Sequence, residues 1–436
     1  MSKTYIFILT VILLLLPAYA VTGITVIQDN MDKTEFSVSF NTPAITELEN
    51  GNCILRLDNF GFRGEENGPM LYGKTFWVAV PKNSSISISL SSVLWTEWHD
   101  IVPAPLCSLT LFHNILGQTD EHLYTRPFGG TVEFIGEHIW RGVRIIGIDV
   151  IPVEYSPKMG VRFMKSVDVI VEHSGGNGTV YNERLYHPAF ATLYRASLVN
   201  PESAIPQTSM IPVEWDPDSG AELLAIVRPD FEDELQAWID WKLLQGMPVL
   251  VFTTSETGSD TTSIKAFVQN AYDTWAIPPT FLLLASDADY IHCFNYNCVG
   301  DNNYCTVDGS DMFPDIFPGR ISADNASQMT TIIQKHLNYE KHPEMSDDWW
   351  ARAVGIANED DPYEPLGPGD SSYYEAVRYG MEKCQLAGFT DVQLFRRLEG
   401  DDFWDVKPYI EAGCGFVQYR GQAWPDYYYG FSGGLD

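Results

Sequence analysis

The sequence predicts two joined parts, an all-β amino-terminal half and an α/β carboxyl-terminal half built on a mainly parallel sheet. Three observations carry this expectation. Apolar residues alternate with period two over short spans up to about residue 175. Buried-strand and helix-spaced segments alternate after Gly220. Between them lies a proline-rich stretch with neither pattern.

Residues 1–20 come first. Lys3, an apolar run from Ile6 to Leu16, Pro17 and the small-residue pattern Ala18-Tyr19-Ala20 make a secretory signal peptide, so the mature chain is expected to be secreted or held at the cell surface. The run is shorter than the roughly 18 to 20 apolar residues of a membrane helix, and no later stretch approaches that length. No membrane span is expected.

Residues 21–185 read as the β-rich domain. Phe36-Ser-Val38-Ser-Phe40, Ile86-Ser-Ile88-Ser-Leu90 and Val167-Asp-Val169-Ile-Val171 are half-buried strands by their alternation. Turn chemistry at Asn50-Gly51 and Gly175-Gly176-Asn177-Gly178 separates them, as in a sandwich or barrel. Residues 186–219, with Pro188, Pro201, Pro206 and Pro212 among Ser and Asn, are the expected linker.

Residues 220–436 change grammar. Strands are expected at Leu223–Val227, Val249–Phe252, Phe281–Leu284, Ala353–Ile356 and Gly415–Tyr419. Helices are expected at Glu232–Leu244, Thr262–Trp275, Asn325–Tyr339 and Ser371–Leu386. Such alternation implies one mainly parallel sheet covered on both faces, with chemistry beyond the carboxyl ends of its strands.

A net charge of −31 argues against nucleic acid, whose phosphates are held by lysine and arginine. Seven cysteines are an odd count for an oxidising compartment, so at least one stays unpaired or pairs beyond the chain. His292-Cys293, Cys298 and Cys305 lack the close C-x2-C pairs of structural zinc, and a disulfide or buried thiols fit the spacing better. His292 itself reads as a surface or packing residue, and Cys414, ahead of the last strand, as a core thiol.

Three segments stand at or near expected strand ends. They are Ala285-Ser-Asp287-Ala-Asp289, the stretch Asp308 to Ser322 followed by Asn325 and Asn338-Tyr339-Glu340-Lys341, and Gly415-Phe-Val-Gln-Tyr419-Arg-Gly421-Gln422-Ala-Trp424. In this order and spacing they resemble the gingipain family of secreted cysteine peptidases. Upstream, Arg141-Gly-Val-Arg144 through Asp149-Val-Ile-Pro152-Val-Glu-Tyr155 is similar to the β-rich pro-segment of that family. The resemblance covers nearly all of the mature chain and is looser before about residue 70. It implies a caspase-like α/β domain preceded by an all-β pro-segment-like domain, and an endopeptidase that acts on proteins or peptides without a required cofactor.

The same resemblance assigns site positions. The family places a glycine-histidine-glycine turn after the last strand, and the histidine position here is Gln422. A neutral amide neither takes a proton from a thiol nor lowers its pKa. The acid that orients the histidine corresponds to Asp360, beside Glu359; with no histidine to orient, Asp360 also reads as a solvated loop carboxylate. The nucleophilic cysteine sits in the family some thirty residues past the turn, so the catalytic domain is expected to be incomplete and the nucleophile outside these 436 residues. Two readings follow: a gingipain-type peptidase inactive as written, or a secreted or cell-surface protein that keeps the fold to bind an unknown protein partner. Activity would call for release by a cut near the linker, with Arg195 as a conceivable position.

Two further patterns compete with bland readings. Asp301, Asp308, Asp311 and Asp315 offer the hard oxygens calcium takes, and the resemblance implies a structural calcium in this domain with its ligands unassigned. Their spacing is not that of an EF-hand, and solvated loop carboxylates are the preferred reading. Gly430-Phe-Ser432-Gly-Gly434 fits the G-x-S-x-G elbow pattern but lacks the following helix, acid and histidine, and reads as an aromatic loop.

Overall fold

The structure, a computed structural model, describes residues 23–48, 50–57, 60–106, 119–176, 179–207, 215–296, 298–345, 348–358, 368–421, 423–424 and 427–428. The chain divides into two compact units. Unit 1 comprises residues 1–64, 69–103 and 124–337, and unit 2 comprises 65–68, 104–123 and 338–436.

Among the described residues the amino-terminal half forms β1 (Ile24–Asp29), β2 (Lys33–Ser39), β3 (Ala44–Glu47), β4 (Cys53–Arg56), β5 (Gly61–Arg63), β6 (Leu71–Ala79), β7 (Ser85–Trp95), β8 (Phe128–Gly129), β9 (Val132–Trp140), β10 (Val143–Val150), β11 (Val153–Ser156) and β12 (Gly160–Ser174). One sheet runs β1-β2-β12-β11-β8 with β7 also on β12, and a second runs β5-β6-β10-β9. Both are antiparallel. Period-two alternation turns Phe36, Val38, Val167, Val169 and Val171 of the first sheet onto Phe76, Val78, Ile146 and Ile148 of the second, giving one shared core. Strand β10 is buried on both faces, because the second sheet packs another layer behind it.

That layer comes from the expected linker. Residues 186–219 carry helix α1 (Pro188–Ser197), which buries Phe190, Ala191 and Tyr194 against Ala79, Trp140, Val143 and Ile145. Pro188 opens this helix, and Pro201 and Pro217 each open a short 3-10 helix, where the missing N–H costs no bond. Proline density here marks helix starts; residues 208–214 of the segment lie outside the described residues. Arg195 sits in the last turn of α1 and pairs with Glu202, unlike the exposed loop tips where chains are readily nicked.

The rest of unit 1 is α/β. Its elements are β13 (Leu223–Val227), α2 (Glu232–Leu244), β14 (Val249–Thr253), α3 (Thr254–Thr257), α4 (Thr261–Thr274), β15 (Phe281–Ala285), the hairpin β16 (Phe294–Tyr296) and β17 (Cys298–Gly300), β18 (Phe317–Ile321) and α5 (Ala326–Lys341), whose last turn crosses into unit 2. The parallel sheet has the order β14-β13-β15-β18. Leu224, Ile226, Leu282 and Leu284 face α4, while Leu223, Ala225, Val227 and Leu283 face α2 and α5.

Unit 2 contains β19 (Arg352–Ala357), α6 (Pro368–Leu386), β20 (Asp391–Arg396), α7 (Phe403–Glu411), β21 (Phe416–Arg420) and the short pair β22 (Ala423–Trp424) and β23 (Tyr427–Tyr428). Its sheet has the order β20-β19-β21, all parallel. Ala353 and Ala357 face α6, and Val354 and Ile356 face α7. Gly355 lets α6 approach, since a Cβ there would lie 2.6 Å from Val377. The single expected sheet is therefore divided into four strands and three. Strand β18 ends the first ladder: the Phe317 N–H points inward to Thr280, so Pro318 presents its N–H-free side to the outer edge.

Candidate active site

In each parallel sheet the chain leaves the first strand to one side and returns on the other, so each has a switch point at the carboxyl end of its first strand. In unit 2 that point lies between β19 and β21, where Ala357 and Arg420 are register partners. The chain leaves β19 through Asn358 and β21 through Gly421 at the same edge. Asn358 is fully buried; its N–H donates to the Arg420 carbonyl at 2.9 Å, and its Oδ1 accepts from Arg397 Nη1 at 3.3 Å. A Cβ on Gly421 would lie 2.6 Å from Asn358 Cβ and 2.3 Å from the Tyr419 hydroxyl, so only glycine fits this approach. Asp360 and Gln422 follow within two residues and lie outside the described residues, as do Glu359 and the Gly430–Gly434 pattern.

Around the edge, Arg396 stacks on Tyr374 with its guanidinium carbon 3.8 Å from the ring centre, and Arg420 lies over Tyr373 at 5.0 Å. These aromatic and cationic groups were not anticipated; β20 and α7 were not read as elements, so Arg396 and Arg397 had no place in a site.

No poised thiol stands among the cysteines whose ionisation the surroundings shift. Cys414 lies at the amino end of β21, opposite the edge, with its Sγ 3.2 Å from the Tyr409 carbonyl. Burial pushes the thiols of Cys53, Cys305, Cys384 and Cys414 above their ordinary range. Alkylation of the native protein at pH 7.5, followed by peptide mass mapping, is expected to leave these four largely unmodified and to label them fully after unfolding. Fast native labelling of Cys414 would show an activated thiol that this geometry does not provide.

The four acidic candidates are not brought together: among the described residues no three His, Cys, Asp or Glu side chains form a group able to hold a metal ion. Asp301 forms a two-point pair with Arg320, with both N···O distances 2.8 Å. Asp308 accepts from the Tyr272 hydroxyl at 3.1 Å. Asp311 accepts the N–H groups of Phe313 and Ile139, and Asp315 is fully buried. Its Oδ1 accepts the Arg141 N–H at 2.6 Å and its Oδ2 those of Val307 and Asp308, each at 2.8 Å. Each of these carboxylates is engaged with the protein itself; Asp315 is buried and the other three are half-buried. His292 is exposed, and its backbone carbonyl accepts from the Tyr304 hydroxyl. Cys293 is half-buried and Cys305 fully buried, while the Cys298 side chain is outside the described set.

Comparison with known proteins gives a consistent result. The model of peptidase family C25 matches residues 216–431. Lys-gingipain of Porphyromonas gingivalis is 28% identical over 301 residues, covering 66% of this chain and 16% of that protein. Gingipain R2 of the same species is 23% identical over 399 residues, covering 86% of this chain and 53% of that protein. The chain thus spans from about a sixth to about half of the length of these relatives. Among solved structures, the Arg-specific cysteine proteinase gingipain R aligns with a TM-score of 0.42 at 22% identity, over 52% of each chain. The complex of gingipain pro- and mature domains from P. gingivalis aligns with a TM-score of 0.37 at 16% identity, over 42% of this chain and 98% of that one.

Proposed function

With the chain a member of the gingipain family of cysteine peptidases through residues 216–431, we propose that the carboxyl edge of the unit 2 sheet is a polypeptide-binding site that does not hydrolyse what it binds in this 436-residue form. The observation that supports this reading most is the residue at the histidine position. The register of β19 and β21 brings Asn358 and Gly421 to one edge, and the residue that follows Gly421 in the sequence is Gln422. An amide there cannot act as the base of a thiol nucleophile. The protein is in this reading exported through residues 1–20. Among the described residues no helix is long and apolar enough to cross a membrane.

The test is an assay of the purified chain, under reducing conditions, on a set of fluorogenic peptides and on unfolded casein. The expected result is no turnover above that of thiol-blocked protein, together with saturable binding of at least one peptide that Gly421→Val weakens. Thiol-dependent turnover would overturn the inactive reading, and binding unaffected by Gly421→Val would remove the edge as its site. Gln422→His is expected to add no turnover by itself, because no described thiol stands at this edge.

A further inference from the structure

The tip of the β9–β10 hairpin carries an arginine that the turn itself does not call for. Trp140 and Val143 are register partners, so Arg141-Gly142 is a two-residue turn, with φ of +47° and +76°. Left-handed values at both central positions favour Asn-Gly, and a long side chain at the first is disfavoured. Arg141 is nevertheless 2% exposed, the largest fully buried side chain among the described residues. Its Nε donates to the Leu185 carbonyl at 2.6 Å, its Nη1 to the carbonyls of Pro279 and Asp315 at 3.0 and 2.5 Å, and its Nη2 to Thr280 Oγ1 at 2.8 Å. The guanidinium carbon lies 4.8 Å from the Phe190 ring centre and 5.8 Å from that of Tyr272. Every acceptor is neutral, and they surround a plane. A planar fork satisfies that arrangement, and a lysine ammonium, a point donor on a flexible stem, does not.

We propose that this hollow, at the amino ends of β15 and β18, is an arginine-reading socket whose occupant is the β9–β10 hairpin of the same chain, and that Arg141 seats the β sandwich on the α/β part of unit 1. Neighbouring contacts agree in direction: Trp140 Nε1 donates to the Pro314 carbonyl at 3.0 Å, and Asp315 accepts the Arg141 N–H. The residue at the turn is thus chosen by the socket against the preference of the turn. The inference is independent of the proposed function, since the socket lies at the amino edge of a different sheet.

The experiment places a site-specific protease sequence between Gln207 and Trp215, cuts the folded full-length protein, and follows the two pieces by gel filtration on dilution. The cut protein without substitutions should yield pieces that co-elute to nanomolar concentration. Arg141→Asn, which suits the turn better, and Arg141→Lys, which keeps the charge, should each raise the dissociation constant at least tenfold. Separation of the unsubstituted pieces at micromolar concentration overturns the proposal, and so does unchanged retention in either variant. If a variant is not recovered folded, the cut unsubstituted protein is diluted in N-acetylarginine amide and, separately, N-acetyllysine amide at equal ionic strength. Release by the arginine compound alone supports the socket, and equal behaviour in the two overturns it.

Discussion

Asp315→Ala is expected to lower the unfolding free energy by about 4 kcal/mol, read as a shift of the urea midpoint at constant slope. The carboxylate accepts three buried N–H groups, one from the hairpin tip and two from the loop before β18. Removing it leaves each donor without that partner, at about 1–3 kcal/mol apiece before relaxation. It also removes a carboxyl that, when ionised, favours the charge of buried Arg141, whose guanidinium contacts only neutral acceptors. Asp315 adds a pH dependence of its own. Burial pushes its carboxyl up to about 7, outweighing the N–H bonds, and neighbouring Asp308 adds to the rise. The folded form therefore holds the proton more tightly than the unfolded chain. The stability this contributes is full below about pH 4 and is lost as pH rises through about 7. Measured between pH 5 and 8, the difference in stability between the parent protein and Asp315→Asn should narrow or reverse towards alkaline pH. A difference independent of pH would show that Asp315 is ionised throughout.

Ile356→Ala should cost about 2–5 kcal/mol, the second large effect. Ile356 is buried in the central strand of unit 2 and packs with Val354, Phe395 and Val406 under α7. The loss combines the transfer energy of the removed carbons with the cavity they leave, which a strand paired on both sides cannot close by moving. Gly355→Ala, one residue away on the α6 face, should cost about 1–3 kcal/mol for the opposite reason: the added methyl would meet Val377 and Met381 at 2.6 and 2.7 Å. Urea unfolding monitored by tryptophan fluorescence distinguishes them from Leu386→Ala, a substitution at an exposed position that should change stability by less than about 0.5 kcal/mol. If Ile356→Ala behaved like Leu386→Ala, the assignment of β19 as the central strand would fail.

The elements that the sequence made legible are those with strong periodicity. Helix α2 has the expected limits, and α4 and α5 begin within one residue of theirs, because each buries one apolar stripe. Helix α7 was not legible: it has only nine residues, contains Pro408 and exposes Trp404, so its pattern is short and broken. The division into two sheets was equally hidden, since buried parallel strands carry the same apolar runs whether or not they share a ladder. Proline in residues 186–219 opens short helices, and the sequence alone does not tell a proline that stands before a helix from one inside a chain with no helix. Asp360 and Gln422 were nameable only through family resemblance; no local pattern distinguishes them from other loop residues. Arg141 left one trace, an arginine where a hairpin turn would take asparagine, and that trace gains meaning only once the socket is seen.

Pro318 has a bearing on how the protein behaves in a crowd of its own copies. A strand at the border of a sheet is a template on which a second chain can extend the ladder. On β18 the outward N–H that would start that extension is missing, and the neighbouring Arg320 is held to Asp301 and to the Ser286 and Ile291 carbonyls. The first sheet thus carries its own stop against growth from molecule to molecule at the border where the ladder ends.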